Sequence, residues 1–243
     1  MTDQVATGAF GAPGSSNVFA RLAGVIFSPR ETFAAIVAQP KPKWFGAMAV
    51  VTLTIALAQY AFLSTNVGQD AMVDQQIRQT ERWAGSVTQA QIDGIEQRAP
   101  MNKYIVSAAT LIIGPIVTLI ITGILFGVFN AMLGGDATFR QALAVSTHGG
   151  AINILQTLFV VPLNYFRESM TSATNLGVFV QFLDETSFVA RLLGWFDMFI
   201  IWGLLVTAIG YGVLYKRKTA PIFWTFMGIY VVIALIGATF MKG

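Results

Sequence analysis

The chain has 243 residues, of which 55% are hydrophobic and only 11% are charged, and its net charge is +3. A soluble domain normally carries about 25% charged residues, so this composition cannot cover a soluble surface. The charged residues crowd into short intervals that are separated by long uncharged stretches. The composition therefore predicts an integral membrane protein, and the small net charge argues against nucleic acid as a partner.

Residue types that catalysis needs are scarce. Cysteine is absent and histidine occurs once, as His148, so disulfides, thiolate sites and zinc held by histidines are excluded. An aspartyl intramembrane protease needs two acids in its spans, whereas only Asp197 lies in an apolar stretch here. No glycine-rich phosphate loop is present. We therefore expect no enzymatic activity, no metal and no cofactor.

The first 43 residues contain no stretch long enough to span a membrane. Residues 1–16 are rich in small and polar residues, without the features of a signal peptide, and predict a flexible tail. Residues 17–43 predict two short amphipathic helices, the first capped by Asn17 and the second by Ser28 in a capping box with Glu31. They lie either on the cytosolic membrane surface or packed on the end of the bundle.

Five apolar stretches, uncharged apart from Asp197 in the fourth, are long enough to cross a hydrocarbon core about 30 Å thick. They cover about residues 44–64, 107–133, 141–164, 192–215 and 219–241. The second contains Gly114-Pro115, which predicts a kink. The sequence thus predicts an all-α, polytopic membrane helical bundle with five transmembrane helices, in which residues 44–243 form one membrane domain.

Two polar intervals, residues 65–103 and 167–191, are predicted to be extracytosolic loops. The first is expected to hold two short helices, one of them beginning at a Thr88–Gln91 capping box and ending before Pro100. The second contains a short apolar stretch, residues 178–183, which either re-enters the membrane or forms a short interfacial helix.

The distribution of basic residues predicts the orientation. Dense basic clusters next to Trp44 and after Tyr215 place the N-terminus in the cytosol and the C-terminus outside it. The candidate membrane-surface residues are Arg21, Arg30, Lys41, Lys43, Lys216, Arg217 and Lys218.

Polar residues within the apolar stretches are candidates for function. They are Asp197, His148, Asn130, Asn153 and Gln156. By depth, the expected partners of Asp197 are Ser107, Thr110 and Asn164. Each candidate has a structural alternative, which we favour, because a hydrogen-bonded acid or an interhelical hydrogen bond explains a polar residue in a span without a functional site.

Small residues follow one face of several predicted spans. They are Gly123, Gly127, Gly149, Gly150, Gly203 and Gly210. Small residues allow helices to approach closely, so these positions predict packing either within the bundle or against a partner helix.

Three segments together resemble the bacterial Yip-domain proteins. They are Phe27-Ser28-Pro29-Arg30-Glu31-Thr32-Phe33 before the first span, Gly135-Asp136-Ala137-Thr138-Phe139-Arg140-Gln141-Ala142 before the third, and Asp197-Met198-Phe199-Ile200-Ile201-Trp202 at the fourth. The resemblance covers about residues 19–240. Eukaryotic relatives are small membrane proteins that interact with Rab/Ypt GTPases, but their Asp-Leu-Tyr-Gly-Pro pattern is absent here.

The resemblance implies a scaffold or adaptor without enzymatic activity, and it implies a location in the bacterial cytoplasmic (inner) membrane. Its expected partners are membrane lipids and either a membrane protein, such as a subunit of export machinery or an ATP-driven transporter, or a second copy of the chain. The expected roles are trafficking, membrane organisation or export. The alternative is a small transporter, channel or lipid-handling protein that uses Asp197.

Overall fold

The computed structural model describes residues 17–39, 41–180, 182–184 and 187–240, so the predicted tail over residues 1–16 and the predicted end of the last span at Met241 lie outside the described residues. The described residues form ten α-helices. They are α1 (Val18–Phe27), α2 (Pro29–Val37), α3 (Phe45–Leu63), α4 (Asn66–Ala84), α5 (Gln89–Gly127), α6 (Phe139–Gly149), α7 (Ala151–Phe166), α8 (Phe188–Trp195), α9 (Met198–Leu214) and α10 (Thr219–Phe240). The predicted all-α helical bundle is confirmed.

Four helical segments are long and apolar enough to cross a membrane. They are α3, the long helix that contains α5, the α6–α7 pair and α10. The predicted fourth span, residues 192–215, is instead divided between α8 and α9. The division arises because Asp197 caps α9, which leaves a 17-residue helix about 26 Å long at about 1.5 Å per residue. The count of five spans is therefore approximate, since α9 is short for a span.

The second predicted span belongs to a longer helix than expected. The Thr88–Gln91 capping box is present, but α5 continues for 39 residues through Pro100 and Pro115 and does not end before Pro100. A five-residue π-helix, Val128–Met132, follows it. The polar first turns of α5 thus join the membrane helix directly, with α4 packed beside them.

Helices α1 and α2 pack against the bundle. Helix α1 contacts α3, α6 and α7, whereas α2 contacts α6 and α9. Leu22, Val25, Phe33 and Ile36 are buried in the main hydrophobic core. Of the two predicted arrangements, packing on the bundle describes these helices better than lying on the membrane surface. Asn17 caps α1 as predicted, whereas the Ser28 side chain forms no capping hydrogen bond.

The apolar stretch at residues 178–183 begins in a short 3₁₀-helix, Leu176–Val180, which packs against α8. Phe179 is 77% exposed and Phe182 is 83% exposed. The described residues thus leave both aromatic side chains largely uncovered, and the choice between re-entry and an interfacial helix stays a prediction.

Candidate functional site

Helix α2 is held against α9 by a close contact at Gly210. A Cβ atom built on Gly210 would lie 2.5 Å from Val145 Cγ1 and 3.1 Å from the ring of Phe33. Both Phe33 and Val145 are fully buried. Only a glycine leaves room for this approach, which positions Arg30, one turn before Phe33, near the end of α9.

The turn after α9 is a Schellman motif. The backbone N–H of Arg217 donates to Gly212 O (2.8 Å), and that of Lys216 donates to Val213 O (3.3 Å). Lys216 has a φ of 53°, the left-handed position that glycine normally takes in this motif. The turn directs three consecutive cations, Lys216 to Lys218, to one end of the bundle.

These two features build a basic cleft. It has a volume of about 420 Å³ and is lined by Arg30, Ala34, Gly212, Val213, Lys216, Arg217 and Lys218. Four of the predicted membrane-surface residues therefore converge, although Arg30 lies far from the others in the sequence. None of the lining residues is acidic, and all four cationic residues are exposed. Arg217 Nη2 donates to Leu133 O (2.6 Å), which fixes its side chain over the turn.

The predicted surface residue Arg21 is buried, which corrects that prediction. It is only 7% exposed, and its Nε has no hydrogen-bond partner among the described residues. Burial lowers the pKa of Arg21 below its usual value. Lys41 and Lys43, by contrast, are exposed as expected. The burial of Arg21 could not be predicted from the sequence, because an amphipathic pattern does not show which side of a helix faces a neighbouring element.

His148 lies beside Arg21 in the core. It is fully buried and its Nδ1 is 2.8 Å from Ala144 O, while its Nε2 has no partner among the described residues. Arg21 and His148 are close enough to interact electrostatically. A cation and an imidazole with unpartnered nitrogens in a core lower the stability of the fold.

We expect Arg21→Met to raise the free energy of unfolding by about 1 to 3 kcal/mol, because methionine of similar shape removes a buried guanidinium whose Nε has no partner among the described residues. Denaturant titration in detergent micelles measures the change. Arg30→Met, which alters an exposed arginine, is the control and should change the free energy by less than about 0.5 kcal/mol. Destabilisation by Arg21→Met would show that the guanidinium has a favourable partner.

Asp197 is the N-cap of α9 and is buried. Its Oδ1 accepts from the backbone N–H of Phe199 (2.8 Å), and its Oδ2 accepts from Ser172 Oγ (3.0 Å) and Thr174 Oγ1. The carboxylate therefore joins the loop after α7 to α9. The expected partners were wrong, because Asp197 begins the helix and does not lie inside it.

The expected partners of Asp197 lie elsewhere. Thr110 Oγ1 donates to Gln59 Oε1 (2.7 Å), which joins α5 to α3. Ser107 Oγ and Asn164 Oδ1 are buried without a partner among the described residues. None of the three forms a hydrogen bond with Asp197 among those described.

None of the remaining polar candidates forms a hydrogen bond with His148 among the described residues. Asn130 donates to Ala137 O (2.8 Å) and accepts from Tyr215 Oη (2.7 Å), so it ties the π-helix to the end of α9. Asn153 is exposed on α7, and Gln156 is partly buried. Asn130 thus has a packing role, whereas Asn153 and Gln156 show no shared site.

The glycine candidates divide into two groups. A Cβ on Gly149 would lie 3.4 Å from Thr207 Oγ1, and one on Gly150 would lie 3.3 Å from Val51, so these glycines, like Gly210, pack inside the bundle. A Cβ on Gly123, Gly127 or Gly203 would meet no atom of a neighbouring described element within 4 Å. The second group faces the outside of the chain.

A second, open cleft of about 530 Å³ lies between α4 and the first turns of α5. Its lining, which includes Gln76, Thr80 and Trp83, holds no charged residue. Among the described residues, no group of three or more His, Asp or Glu could hold a metal ion. The basic cleft is therefore the stronger candidate for ligand binding.

A family model described as the Yip1 domain matches residues 23–241 of the chain. No curated protein and no solved structure gives a significant match. The matched residues include all those that line the basic cleft, together with His148, Asp197 and the outward-facing glycines.

Proposed function

Because this chain belongs to the Yip1 domain family of membrane proteins, we propose that it is a non-enzymatic scaffold or adaptor that binds a protein partner within the membrane. The proposed partner is another membrane protein, such as a subunit of an export complex or an ATP-driven transporter, with a second copy of the chain as the alternative. The proposed setting is a bacterial cytoplasmic membrane with the N-terminus in the cytosol, which the basic cluster after α9 supports.

The outward face of α5 carries this proposal. Only 6% of the most apolar window of the long helix is buried within the chain, against 39% for the α6–α7 pair. Gly123 and Gly127 lie on this helix one turn apart, with open space at each. We call the surface formed by Gly123 and Gly127 the open glycine face.

Lipid contact alone does not explain the open glycine face. A glycine inside a helix is less favourable than alanine by about 0.5–1 kcal/mol, and a lipid-facing position gains nothing in return. Two glycines four residues apart allow the backbone of another helix to approach closely, and such contacts drive association in membranes. A transmembrane helix of a partner therefore fits this face better than lipid does.

The test is recovery of the partner after extraction in a lipid-preserving polymer. We expect Gly123→Leu or Gly127→Leu to lower recovery by at least about ten-fold, because the leucine separates the two helices and about 1.4 kcal/mol of association energy corresponds to that factor. Mass spectrometry of the purified particles measures recovery, and cross-linking separates a foreign partner from a second copy.

Gly228→Leu is the matched control, because Gly228 on α10 also has open space at its Cβ position. It should leave recovery and melting temperature unchanged. Equal recovery with all three variants, or a monomer without partners in every preparation, would count against the scaffold.

A further inference from the structure

The basic residues converge in the cleft more closely than the orientation of the protein in a membrane requires. Basic residues near span ends satisfy the positive-inside rule wherever their side chains point. Here Arg30 is brought by α2 to the same cleft of about 420 Å³ as Lys216 and Lys218. Four cations share this small volume with no acidic lining residue, so their mutual repulsion is not relieved by the residues that line it.

The backbone beneath the cleft is also unusual. Lys216 occupies the left-handed position of its Schellman motif, where glycine is the least strained residue. A Cβ atom on Gly212, which lines the same cleft, would lie 3.1 Å from Arg217 O. The chain thus has a cation where glycine would favour the turn, and a glycine at residue 212 that lets the backbone of Arg217 approach closely. Strained positions of this kind concentrate at functional sites.

We propose that the cleft formed by Arg30, Lys216, Arg217 and Lys218 binds a phosphate monoester. Such a group carries about −1.5 to −2 charges at neutral pH and three acceptor oxygens, which match several converging cations. Arginine can bind it with two parallel hydrogen bonds, and the lysines add point charges. A phosphodiester carries a single charge and fewer free oxygens, so it should bind less well.

The location limits the source of this group. The cleft adjoins the turn between α9 and α10, and α10 is long and apolar enough to cross a membrane. A lipid with a phosphate monoester headgroup would reach the cleft from the bilayer, and a soluble phosphate monoester would reach it from the aqueous side. The chemistry recognised is the same in both cases. Binding at this cleft does not require a partner on the open glycine face.

The first experiment compares phosphatidic acid, a monoester, with phosphatidylglycerol, a diester, in nanodiscs that contain the full chain. Native mass spectrometry measures how many lipids of each kind stay bound. We expect phosphatidic acid to be preferred, and Arg30→Gln or Lys218→Gln to lower that preference by about five-fold each. Lys41→Gln and Lys43→Gln are the controls, because both lysines are exposed and neither lines the cleft.

Lys216→Gly separates a binding role from a structural one. It relieves the left-handed strain, so the melting temperature should rise while the preference for phosphatidic acid falls. Glu168→Gly is its matched control. Glu168 has a φ of 50° in the Schellman motif that ends α7, where Ser169 N–H donates to Asn164 O (3.1 Å). It should raise the melting temperature and leave the lipid preference unchanged.

Competition with glycerol 3-phosphate and with inorganic phosphate identifies the source. Displacement of phosphatidic acid by either compound at millimolar concentration supports a soluble ligand, and resistance to both supports the lipid. Equal retention of the two lipids would overturn the proposal, as would a preference that falls equally with Lys41→Gln and Arg30→Gln. Either result would mean that the cleft attracts anionic lipids in general and does not recognise a phosphate monoester.

Discussion

Gly210→Leu is expected to separate α2 from α9 and to lower the free energy of unfolding by about 3 kcal/mol, the upper end of the usual cost of overpacking a core. The reason is geometric, because even a Cβ atom would lie 2.5 Å from Val145 Cγ1 and 3.1 Å from Phe33. Neither side chain can move away easily, since both are fully buried in the main core. Denaturant titration in micelles measures the loss, and low yield from the membrane would accompany it.

Gly203→Leu is the control for this prediction. Gly203 lies on the same helix two turns earlier, and a Cβ there meets no atom of a neighbouring described element. The same substitution should change the free energy of unfolding by less than about 1 kcal/mol. If both variants were equally stable, α2 would not be docked as the structure has it, and Arg30 would not be positioned at the cleft by this contact.

Asp197→Ala has the second large expected effect. It removes the cap of α9 and two hydrogen bonds from Ser172 and Thr174 to a carboxylate. The cap contributes about 0.5–2 kcal/mol, and hydrogen bonds to charged groups about 1.5–3 kcal/mol each. Because the three act together, we expect a loss of about 3 to 5 kcal/mol, measured by the same titration.

Asp197→Asn distinguishes a structural role of the Asp197 carboxylate from a role in transport. Asparagine is also a good N-cap, and hydroxyl groups can turn to accept from its amide, so the variant should lose less than about 2 kcal/mol. A scaffold would retain its partner with this change. Abolished solute or lipid movement in reconstituted vesicles, with the fold intact, would instead support the alternative in which Asp197 is the site of transport.

Local features of the fold were predictable from the sequence. The apolar stretches, the cap at Asn17 and the Thr88–Gln91 capping box each depend on residues within a few positions of one another. The family resemblance could also be recognised in the sequence, because each of its three segments is a continuous run of residues. The family match over residues 23–241 confirms it. Hydropathy and capping chemistry act locally, so a linear reading detects them.

The boundaries near Asp197 were not predictable in the same way. A hydropathy window treats residues 192–215 as one apolar stretch, but a buried carboxylate is stabilised when backbone and hydroxyl donors surround it. Those donors come from Phe199 and from the loop after α7. The chain therefore breaks between α8 and α9, and the loop residues that decide this carry no distinctive pattern.

What the sequence by itself determined is the class of protein, the approximate positions of its apolar stretches, the family and the supply of basic residues near the span ends. The tertiary structure decided which residues meet. It buried Arg21 beside His148, left Gly123 and Gly127 facing outward, and brought Arg30 to Lys216. These outcomes depend on the fit between surfaces distant in sequence, such as Phe33 against Gly210, and close packing of that kind has no local signature.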